Sequence, residues 1–591
     1  MVNSQRLSIN VYLKTMVPRD PGHLKRPVTS LIFDLPEPTH DATHWREERM
    51  TRVTSPKRRS LFLLAALLGL LSGASAFGQG TATLKGRITD PSGAVVPGAT
   101  ITATETKTSF ARSSTTSEDG YFSIPLLRPA EYKVSIEAAG FKRYEQAGVQ
   151  LVADQTATLN AVVELGVATE AITVEGGVNQ VDLQTPTLKG VIDERRINEL
   201  PLNGRNAATL ALLVAGVSET PADGATQCCD KTFPGAVSYS SNGGLQNTIN
   251  FKLDGAENMD GYTNVNQPFP FPDVLQEFSV QTSNYGADLG NQSGGAVNII
   301  TKSGTNDLHG NLFGYLRNEV FNARNFFAPE RDRLKRSQFG GTAGGPLLRD
   351  KTFWFVGFQS TELRNIQSAA AAIVPTAANM RGDFSALLDA NAPENALGRR
   401  VQLVDPDTGQ PFPGNIIPTS RFDPVAMKIL SFIPQAGTTP GFGRFFYPRP
   451  IRNDEKSLFV RLDHMLGSND RLAGRYYFSD YDEASTYDGS NILTLNPAAN
   501  LRSQNILLHE THTFRPNLIN DIRLSYGRVY SIRQRPKIDG FTAEALGVVQ
   551  RFLPETGETF GFQVRPNFFS VSNTTSLWIA RNNYVLNEDV K

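Results

Sequence analysis

The chain has 591 residues, 40% hydrophobic and 20% charged, which is too long for one compact domain. Its 58 basic and 58 acidic residues cancel, so the net charge gives no indication of a nucleic-acid partner. The sequence contains no apolar run of 18 residues, which disfavours a helical membrane span. Cys228 and Cys229 are adjacent and have no histidine nearby, which leaves a vicinal disulfide or two thiols as alternatives and disfavours a metal site.

The first recognisable element is an export signal at residues 57–76. Three basic residues precede an almost wholly apolar run, and Ala74 and Ala76 are the small residues that a signal peptidase reads. The pattern therefore predicts a secretory signal peptide. The polar residues 1–56 precede it without periodicity, and since Met50 is a plausible start, we expect this region to be a mis-called extension.

Residues 80–166 predict a small β-sandwich. The segments LKGRITD, ATITATET, YFSIPLL and YKVSIEAAGF carry β-branched and aromatic residues at period two. Turn signals separate them at intervals near ten residues, among them Pro91–Gly93 and Glu118–Gly120.

The same region resembles a carboxypeptidase regulatory-like domain, on the motifs GRITDPSGAVVPGATI, TSEDGYFSIPLL and YKVSIEAAGFKRY. That family has a prealbumin-type fold grouped with carbohydrate-binding-like sandwiches. No H-x-x-E spacing occurs in the segment, so the resemblance implies no peptidase. A scaffold role is favoured over sugar binding, because the glycines and Asp119 are explained as turn residues.

A short extended segment follows within the linker at residues 167–177. It alternates apolar residues and ends in two glycines, so it could add as a strand to the edge of a partner's sheet. It is similar to a TonB box, the periplasmic segment that TonB binds in TonB-dependent outer-membrane receptors. The alternative is a last strand of the sandwich. The candidate residues are Glu170, Ala171, Ile172, Thr173 and Val174.

Residues 178–305 predict a mixed α and β domain. DERRINEL at 193–200 indicates a short helix that stops before a proline, and 202–206 indicates a turn. Strict alternation in two later segments predicts strands whose apolar residues face a core. These inward residues are Ile249, Phe251 and Leu253 on the first strand and Phe278, Val280 and Thr282 on the second.

Two acidic clusters resemble calcium ligands only superficially. Asp254, Glu257, Asn258 and Asp260 do not have the spacing of a twelve-residue calcium loop, so we expect a solvated loop there. DPDTG at 405–409 is typical of a turn.

From residue 306 onward, strand candidates are about ten residues long and alternate apolar with polar side chains, as membrane β-strands do. On one strand Leu472 would face lipid and Arg475 the lumen; on another Leu524 opposes Arg523. The seven best candidates are Leu308–Asn318, Ser337–Leu347, Phe353–Glu362, Ser457–Leu466, Arg471–Asp480, Gln504–Phe514 and Asp521–Val529.

The connections between these candidates alternate between short turns and long loops, which places every short turn on one side of a membrane barrel. The longest loop, at 363–456, is longer than a simple connection requires, so we expect it to capture a ligand or act as a lid. The alternative is a family-specific insertion that makes no contact with a substrate.

Four ordered motifs, ELPLNGRN, FKLDGAENMD, LQEFSVQTSNYGADLG and GGAVNIITKSGTN, make residues 57–591 similar to the Oar-like TonB-dependent receptors of acidobacteria. The resemblance implies a plug at 178–305, a barrel from 306 to 591 in the outer membrane of a Gram-negative bacterium, and a sandwich and plug on the periplasmic side. Its implied partners are TonB, outer-membrane lipid and an extracellular solute. The few strand candidates suggest a C-terminally truncated barrel.

The expected function is therefore energised solute uptake through a plugged, mainly β, transmembrane barrel. Adhesion or surface organisation of the Oar type is one alternative, and oligosaccharide binding by the sandwich is another. No triad, phosphate loop or metal-ligand spacing occurs, so we expect neither an enzyme nor a cofactor or metal.

Overall fold

The computed structural model describes one chain of four parts: a sandwich, a middle domain, a large antiparallel sheet and a set of ordered loops. The signal peptide, Glu170, Cys228 and Cys229 lie outside the described residues. The described residues are 80–166, 171–175, 187–219, 237, 239–245, 247–261, 264–285, 292–326, 328, 330–368, 370–392, 395, 397–434, 444–467, 469–487, 489–495, 498–515, 518–534, 537–549, 560–564, 569–571 and 577–590.

The first part is the predicted sandwich of two sheets. Its strands are β1 (Ala82–Thr89), β2 (Thr100–Glu105), β3 (Ala111–Thr115), β4 (Tyr121–Leu127), β5 (Ala130–Glu137), β6 (Arg143–Leu151), β7 (Thr156–Thr158), β8 (Ala161–Val162) and β9 (Ala171–Glu175). One sheet has the order β4-β1-β7 with β8 beside β1, and the other has the order β3-β2-β5-β6-β9. Period-two alternation buries Leu84, Ile101 and Val134 completely between them.

The middle domain packs a mixed five-stranded sheet against short helices. Its strands are β10 (Leu188–Asp193), β11 (Val217–Glu219), β12 (Tyr239–Ser241), β13 (Ile249–Leu253), β14 (Ala256–Glu257), β15 (Leu275–Ser283) and β16 (Gly295–Thr301). Its helices are α1 (Glu194–Glu199) and 3₁₀ turns at Asn203–Arg205, Ala207–Leu213 and Pro272–Val274. The sheet order is β10-β15-β16-β13-β14, with β13 parallel to β16.

Both sequence predictions for this domain are confirmed. Asp193 caps the N-terminus of helix α1, and its side chain accepts a hydrogen bond from the Arg196 backbone N–H. The predicted inward residues of β13 and β15 are buried, but so are Asn250 and Lys252 between them. Both faces of β13 are therefore buried, whereas the alternation of apolar and polar residues predicted that only one face would be.

The third part is an open sheet of eight strands. The strands from residue 307 onward are β17 (His309–Asn318), β18 (Lys335–Leu348), β19 (Thr352–Gln367), β20 (Ala371–Ile373), β21 (Arg444–Phe446), β22 (Arg449–Met465), β23 (Asp470–Glu483), β24 (Ala498–Arg515), β25 (Leu518–Gln534), β26 (Phe562–Val564), β27 (Phe569–Val571) and β28 (Leu577–Val590). The sheet order is β17-β18-β19-β22-β23-β24-β25-β28, and every neighbouring pair is antiparallel.

All seven predicted strands of this sheet are present, and β28 is an eighth. The predicted facing is confirmed as well, because Arg475 and Arg523 are 4% and 1% exposed while Leu472 and Leu524 are 38% and 50% exposed. We call the buried side of the sheet the lumen face. Several strands are longer than the lipid requires and continue into the long connections.

The long connections fold together at one end of the sheet. They contain the paired strands β20 and β21, the pair β26 and β27, and helices α2 (Ala377–Met380), α3 (Pro424–Leu430) and α4 (Ala543–Leu546), with 3₁₀ turns at Glu319–Phe321, Ser385–Leu388, Pro413–Asn415, Thr419–Arg421 and Ile492–Thr494. Their shared core, the loop cluster, consists of Ala372, Val374, Ile433, Ile492, Leu493, Leu495, Ile538, Phe541 and Leu546.

The predicted turn at 405–409 is confirmed, with the Gly409 N–H donating to the Asp405 carbonyl. Across the described residues, no helix has the length and apolar character of a membrane-spanning helix.

Candidate functional site

The middle domain lies directly against the lumen face of the eight-stranded sheet. Phe355, Phe459 and Tyr477 of the sheet belong to the same buried core as Phe251 and Phe278 of the middle domain. The approach is close at Gly357, where a Cβ atom would stand 2.5 Å from Val274 Cγ1. Because Gly357 has no side chain, the sheet can contact the middle domain at this point.

Asp254 is the polar centre of this interface. It follows β13 in a turn with φ of +51°, and its carboxylate receives Arg475 Nη1 at 2.7 Å and Arg461 Nη1 at 3.4 Å. The Thr301 backbone N–H also donates to it at 2.8 Å. Burial opposes ionisation, but the two guanidinium groups and Thr301 outweigh it and hold the pKa of Asp254 below its ordinary value.

The other oxygen-bearing residues of this loop also meet the sheet. Asp260 forms an ion pair with Arg581, and Asn258 Oδ1 accepts a hydrogen bond from Asn505 at 3.3 Å. Asn258 and Asp260 are 1% and 3% exposed. The expectation of a solvated loop is therefore wrong: the loop is polar because buried polar groups of the lumen face are its partners.

A second polar anchor joins the middle domain to the first barrel strand. Arg205 pairs with Asp273, and its guanidinium lies 4.1 Å from the centre of the Tyr315 ring. Asn311 donates to Asp273 at 2.9 Å. Arg205 comes from the turn predicted at 202–206, which the structure forms as a 3₁₀ helix containing Gly204 at φ +78°.

The sandwich docks at the end of the sheet that carries the short turns. Arg128 lies 3.6 Å from Asp463, a carboxylate that also binds Arg461 at 2.8 Å and Arg471 at 3.2 Å. Burial lowers the pKa of Arg128 to about 10, and the neighbouring arginines add to this effect. Phe110 of the sandwich packs with buried apolar side chains of the sheet. Arg461 binds both Asp463 and Asp254. One ionic network therefore connects the sandwich, the eight-stranded sheet and the middle domain.

The sandwich also contacts the middle domain directly. The buried carboxylate of Glu277 accepts a hydrogen bond from the Ala153 backbone N–H, and Lys189 donates to the Ala153 carbonyl. Asp154 receives the Ser279 hydroxyl at 3.0 Å. Burial raises the pKa of Glu277 to about 8, against the opposing effects of the Ala153 N–H and Lys189.

The candidate TonB-box segment is a strand of the sandwich. Strand β9 pairs in parallel with β6, from Ala171 opposite Arg143 to Glu175 opposite Ala147. The alternative of a last sandwich strand is thus what the structure shows. In the described sheet β9 is the terminal strand, so this pairing uses one of its two edges and leaves the TonB-box hypothesis open.

A cavity of about 290 Å³ lies between the middle domain and the lumen face, toward the long connections. Its wall is rich in amides and hydroxyls, together with aromatic rings and a few charged groups. Among its lining residues are Arg205, Phe269, Arg336, Gln338, Gln359, Thr361, Asn453, Glu455, Ser457, Ser479 and Tyr481.

Sequence reasoning identified no residue of this cavity and no partner of Asp254. The sequence predicted the strands and the arginines that face the lumen, but it did not predict which carboxylate each arginine would bind.

A group of three possible metal ligands, Asp470, Glu510 and His512, lies at the short-turn end, with ligand atoms within 4.8 Å of one another. These three residues are partly exposed and come from two neighbouring strands, so their proximity follows from strand register.

Comparison with known proteins agrees with this architecture. Residues 83–164 match the family model described as a carboxypeptidase regulatory-like domain, and residues 300–591 match the one described as an outer membrane beta barrel domain. The two matched segments contain the sandwich and the eight-stranded sheet with its connections.

A curated relative specifies the resemblance. The chain is 26% identical over 408 residues to the TonB-dependent transporter Oar of Myxococcus xanthus, which covers 63% of this chain and 36% of that protein. The chain therefore spans about a third of the length of this relative. The resemblance to Oar-like TonB-dependent receptors predicted from the sequence is confirmed.

Two siderophore receptors are among the solved structures to which the chain is similar. A mutant of the ferric enterobactin receptor PfeA from Pseudomonas aeruginosa has 14% identity and a TM-score of 0.38 over 68% of this chain and 45% of its own. The siderophore receptor PirA from Acinetobacter baumannii has 13% identity and a TM-score of 0.38 over the same shares.

Proposed function

We propose that the protein is a TonB-dependent receptor that takes up an extracellular solute across the outer membrane. The observation that supports this most is the middle domain on the lumen face, held by the buried pairs of Asp254 with Arg461 and Arg475. A domain in that position blocks passage through a barrel, so we assign it the role of the plug.

The proposed orientation follows from the connections. Outer-membrane barrels keep short turns in the periplasm and long loops outside. The sandwich and β9 are at the short-turn end, and the loop cluster is at the opposite end. Solute would enter beneath the loop cluster, and TonB would engage from the periplasm.

In this mechanism TonB binds β9 by adding a strand to it. Strand addition requires extended backbone with unpaired N–H and C=O groups, which the terminal strand of a sheet supplies. Force on β9 acts on the sandwich, whose Arg128 shares Asp463 with Arg461 of the plug-holding network. Displacement of the plug then opens the passage. The mechanism requires no bond chemistry, so we propose that the protein is not an enzyme.

Uptake measured in cells with and without TonB tests the proposal. Ile172→Pro removes a backbone N–H from β9 and blocks strand addition, whereas Ile172→Ala keeps that N–H and serves as the matched control. We expect uptake to be lost with Ile172→Pro or without TonB, and retained with Ile172→Ala. Uptake that is indifferent to TonB would contradict the proposal.

A role in adhesion is the second candidate, and the loop cluster favours it. Connections from different strand pairs share one buried core there, which makes a stable surface outside the cell. The same variants separate the two functions, because adhesion needs no TonB and would persist with Ile172→Pro.

A further inference from the structure

The sandwich covers part of the lumen face at the end of the sheet that carries the short turns. Phe110 of the sandwich is 9% exposed and packs against Phe353 of β19 and Met465 of β22. The guanidinium group of Arg471, on β23, lies 5.5 Å from the centre of the Phe110 ring. In the orientation proposed above, a solute that passes the middle domain along these strands meets the sandwich before it reaches the periplasm.

Little space remains inside this contact. The sandwich, the middle domain and the sheet enclose a cavity of about 50 Å³, lined among others by Leu126, Ile300 and Ala473. Ligand sites have volumes of about 300–1,000 Å³, so this cavity is too small for a solute. The interface widens only toward β17 and β18, where a cleft of about 1140 Å³ separates the sandwich and the middle domain from the sheet.

The ion pair of this contact can break without leaving an unpaired charge in the sheet. Arg128 lies 3.6 Å from Asp463, and the two side chains are 13% and 2% exposed. When Arg128 leaves and regains its hydration, Asp463 still binds Arg461 and Arg471, at 2.8 and 3.2 Å. Separation of a buried pair is costly chiefly where one charge loses its partner. The sandwich therefore leaves the sheet at lower cost than the middle domain does, since two arginines of the sheet bind one carboxylate of that domain.

The turn that carries Arg128 is strained. Leu126, near the end of β4, has a φ of +59°, a left-handed conformation that is unfavourable for a residue with a Cβ atom. Arg112 fixes the turn by donating through Nη1 to the carbonyls of Pro125 and Leu126, at 3.0 and 3.3 Å. Backbone strain persists only where surrounding contacts hold it, and it is concentrated in segments that switch between conformations. Here the strained segment is the one that meets the sheet.

The same turn also binds the middle domain. Arg128 Nη2 donates to Ser303 Oγ at 3.0 Å, and Gln276 Nε2 donates to the Pro129 carbonyl at 2.6 Å. Gln276 lies on β15, the strand whose Glu277 accepts a hydrogen bond from the sandwich backbone. A sandwich that moves away from the sheet therefore pulls on β15.

We propose that the sandwich is an autoinhibitory cap: docked through Phe110 and Arg128, it secures the middle domain on the sheet, and it must leave the sheet before solute passes. The proposal rests on the receptor function proposed above. A pull on β9 breaks the contact of the sandwich with the sheet first, because that contact leaves no buried charge unpaired, and then acts on the middle domain through β15. The resting protein is thus closed at two successive positions.

A cross-link between the sandwich and the base of the sheet tests the cap by transport. Ser109→Cys with Asn306→Cys replaces two side chains whose polar atoms are 3.5 Å apart. Asn306 is held to the short turn between β18 and β19 by hydrogen bonds with Asp350, at 2.7 and 2.9 Å. With Cys228 and Cys229 replaced by Ser, we expect oxidation to abolish uptake and a reductant to restore it.

The control cross-link lies within the sandwich. Thr102→Cys with Ser113→Cys joins β2 to β3 at a directly opposed pair and leaves the docked face free, so uptake should be unchanged on oxidation. Full uptake with the sandwich locked to the sheet would show that solute leaves through the cleft beside β17, and this result would overturn the cap.

Thiol labelling tests the docked state itself. Met465 is 7% exposed and lies against Phe110, so in a Met465→Cys variant of the full chain without its native cysteines a water-soluble maleimide reaches position 465 when the sandwich leaves. Arg128→Ala or Phe110→Ala should accelerate labelling about tenfold, because each removes part of the contact that protects this position. Arg87→Ala is the matched control, since Arg87 lies over the ring of Tyr121 within the sandwich, and it should leave the rate unchanged.

Unchanged labelling in both docking variants would overturn the cap. If one of the two fails to fold, as shown by its thermal unfolding, the other still decides. Labelling of the purified protein depends on neither TonB nor transport. Unchanged labelling together with TonB-dependent uptake would therefore refute the cap and leave the receptor function supported. Accelerated labelling together with TonB-independent uptake would support the docked state and refute the transport mechanism.

Discussion

Arg475 Nη1 lies 2.7 Å from Asp254 Oδ2, and the two side chains are 2% and 9% exposed. The pair joins the middle domain to the lumen face of the eight-stranded sheet. With Arg461 3.4 Å from the other carboxylate oxygen, one buried acid balances two buried bases, and Asp463 supplies the second negative charge. Loss of the acid therefore removes the carboxylate partner of Arg475, whereas Arg461 retains Asp463.

Replacement of Asp254 by Asn should loosen the middle domain from the lumen face of the sheet. Removal of one partner from a buried ion pair costs about 3–5 kcal/mol. Hydrogen exchange of the backbone at Ile249–Leu253 should accelerate accordingly. The control is Asp407→Asn, whose partner Arg421 is 40% exposed; such surface pairs contribute about 0–1 kcal/mol. Equal exchange in both variants would show that the Asp254 pairs do not hold the middle domain on the sheet.

A disulfide between β6 and β9 should show whether β9 must leave the sandwich. Glu145 and Thr173 are opposite one another, so Glu145→Cys with Thr173→Cys can lock the strand in place. With Cys228 and Cys229 replaced by Ser, we expect uptake to persist on oxidation, because the cross-link leaves the open edge of β9 available for strand addition by TonB. The control cross-link joins Ser135→Cys to Glu145→Cys, which are paired on β5 and β6 and leave β9 free. Loss of uptake with β9 locked, restored by a reductant, would mean that β9 must leave the sandwich before TonB binds.

Burial of Glu277 between the sandwich and the middle domain should make the folded protein less stable as pH rises. Burial raises the pKa of Glu277 from 4.5 to about 8, so the folded state retains a proton that the unfolded chain releases. The stabilisation is complete below pH 4.5, declines as pH rises, and is lost through pH 8, a change on the order of a few kcal/mol. Lys189, Asp154 and Asp193 face this carboxyl group, and Lys189 moderates the effect.

Thermal unfolding measured between pH 5 and pH 9 checks this dependence. Glu277→Gln should flatten the decline, because a neutral amide has no proton to lose. Glu118→Gln, at an exposed turn of the sandwich, should retain the slope of the original protein. A slope unchanged by Glu277→Gln would assign the pH dependence to other groups.

Truncation of Phe541 should release the long connections together. Phe541 is fully buried in the loop cluster and meets the ring of Phe432 edge-on, with centroids 4.9 Å apart. Phe541→Ala should cost about 3–5 kcal/mol of local stability. Limited proteolysis should then cut several connections at similar rates. Phe321→Ala, at a side chain 88% exposed, is the control and should change little. Cleavage of one connection alone would mean that the loops do not share a core.

The sequence by itself determined the modules and the strands. Period-two alternation predicted seven strands of the sheet and which side chains face the lumen, because a pleated strand displays alternate residues on opposite faces. Turn residues located the sandwich, and a capped segment located helix α1. These are local properties, set by neighbours a few residues apart.

Only the tertiary structure decided the partners of the polar residues. Asp254 is 207 and 221 positions from Arg461 and Arg475, so no spacing in the chain indicates that they meet. The same holds for the amides of the lumen cavity and for the loop cluster. The solvated-loop prediction failed for this reason: exposure depends on what the rest of the fold places opposite a residue, and charge alone does not reveal whether water or a buried counter-ion will be there.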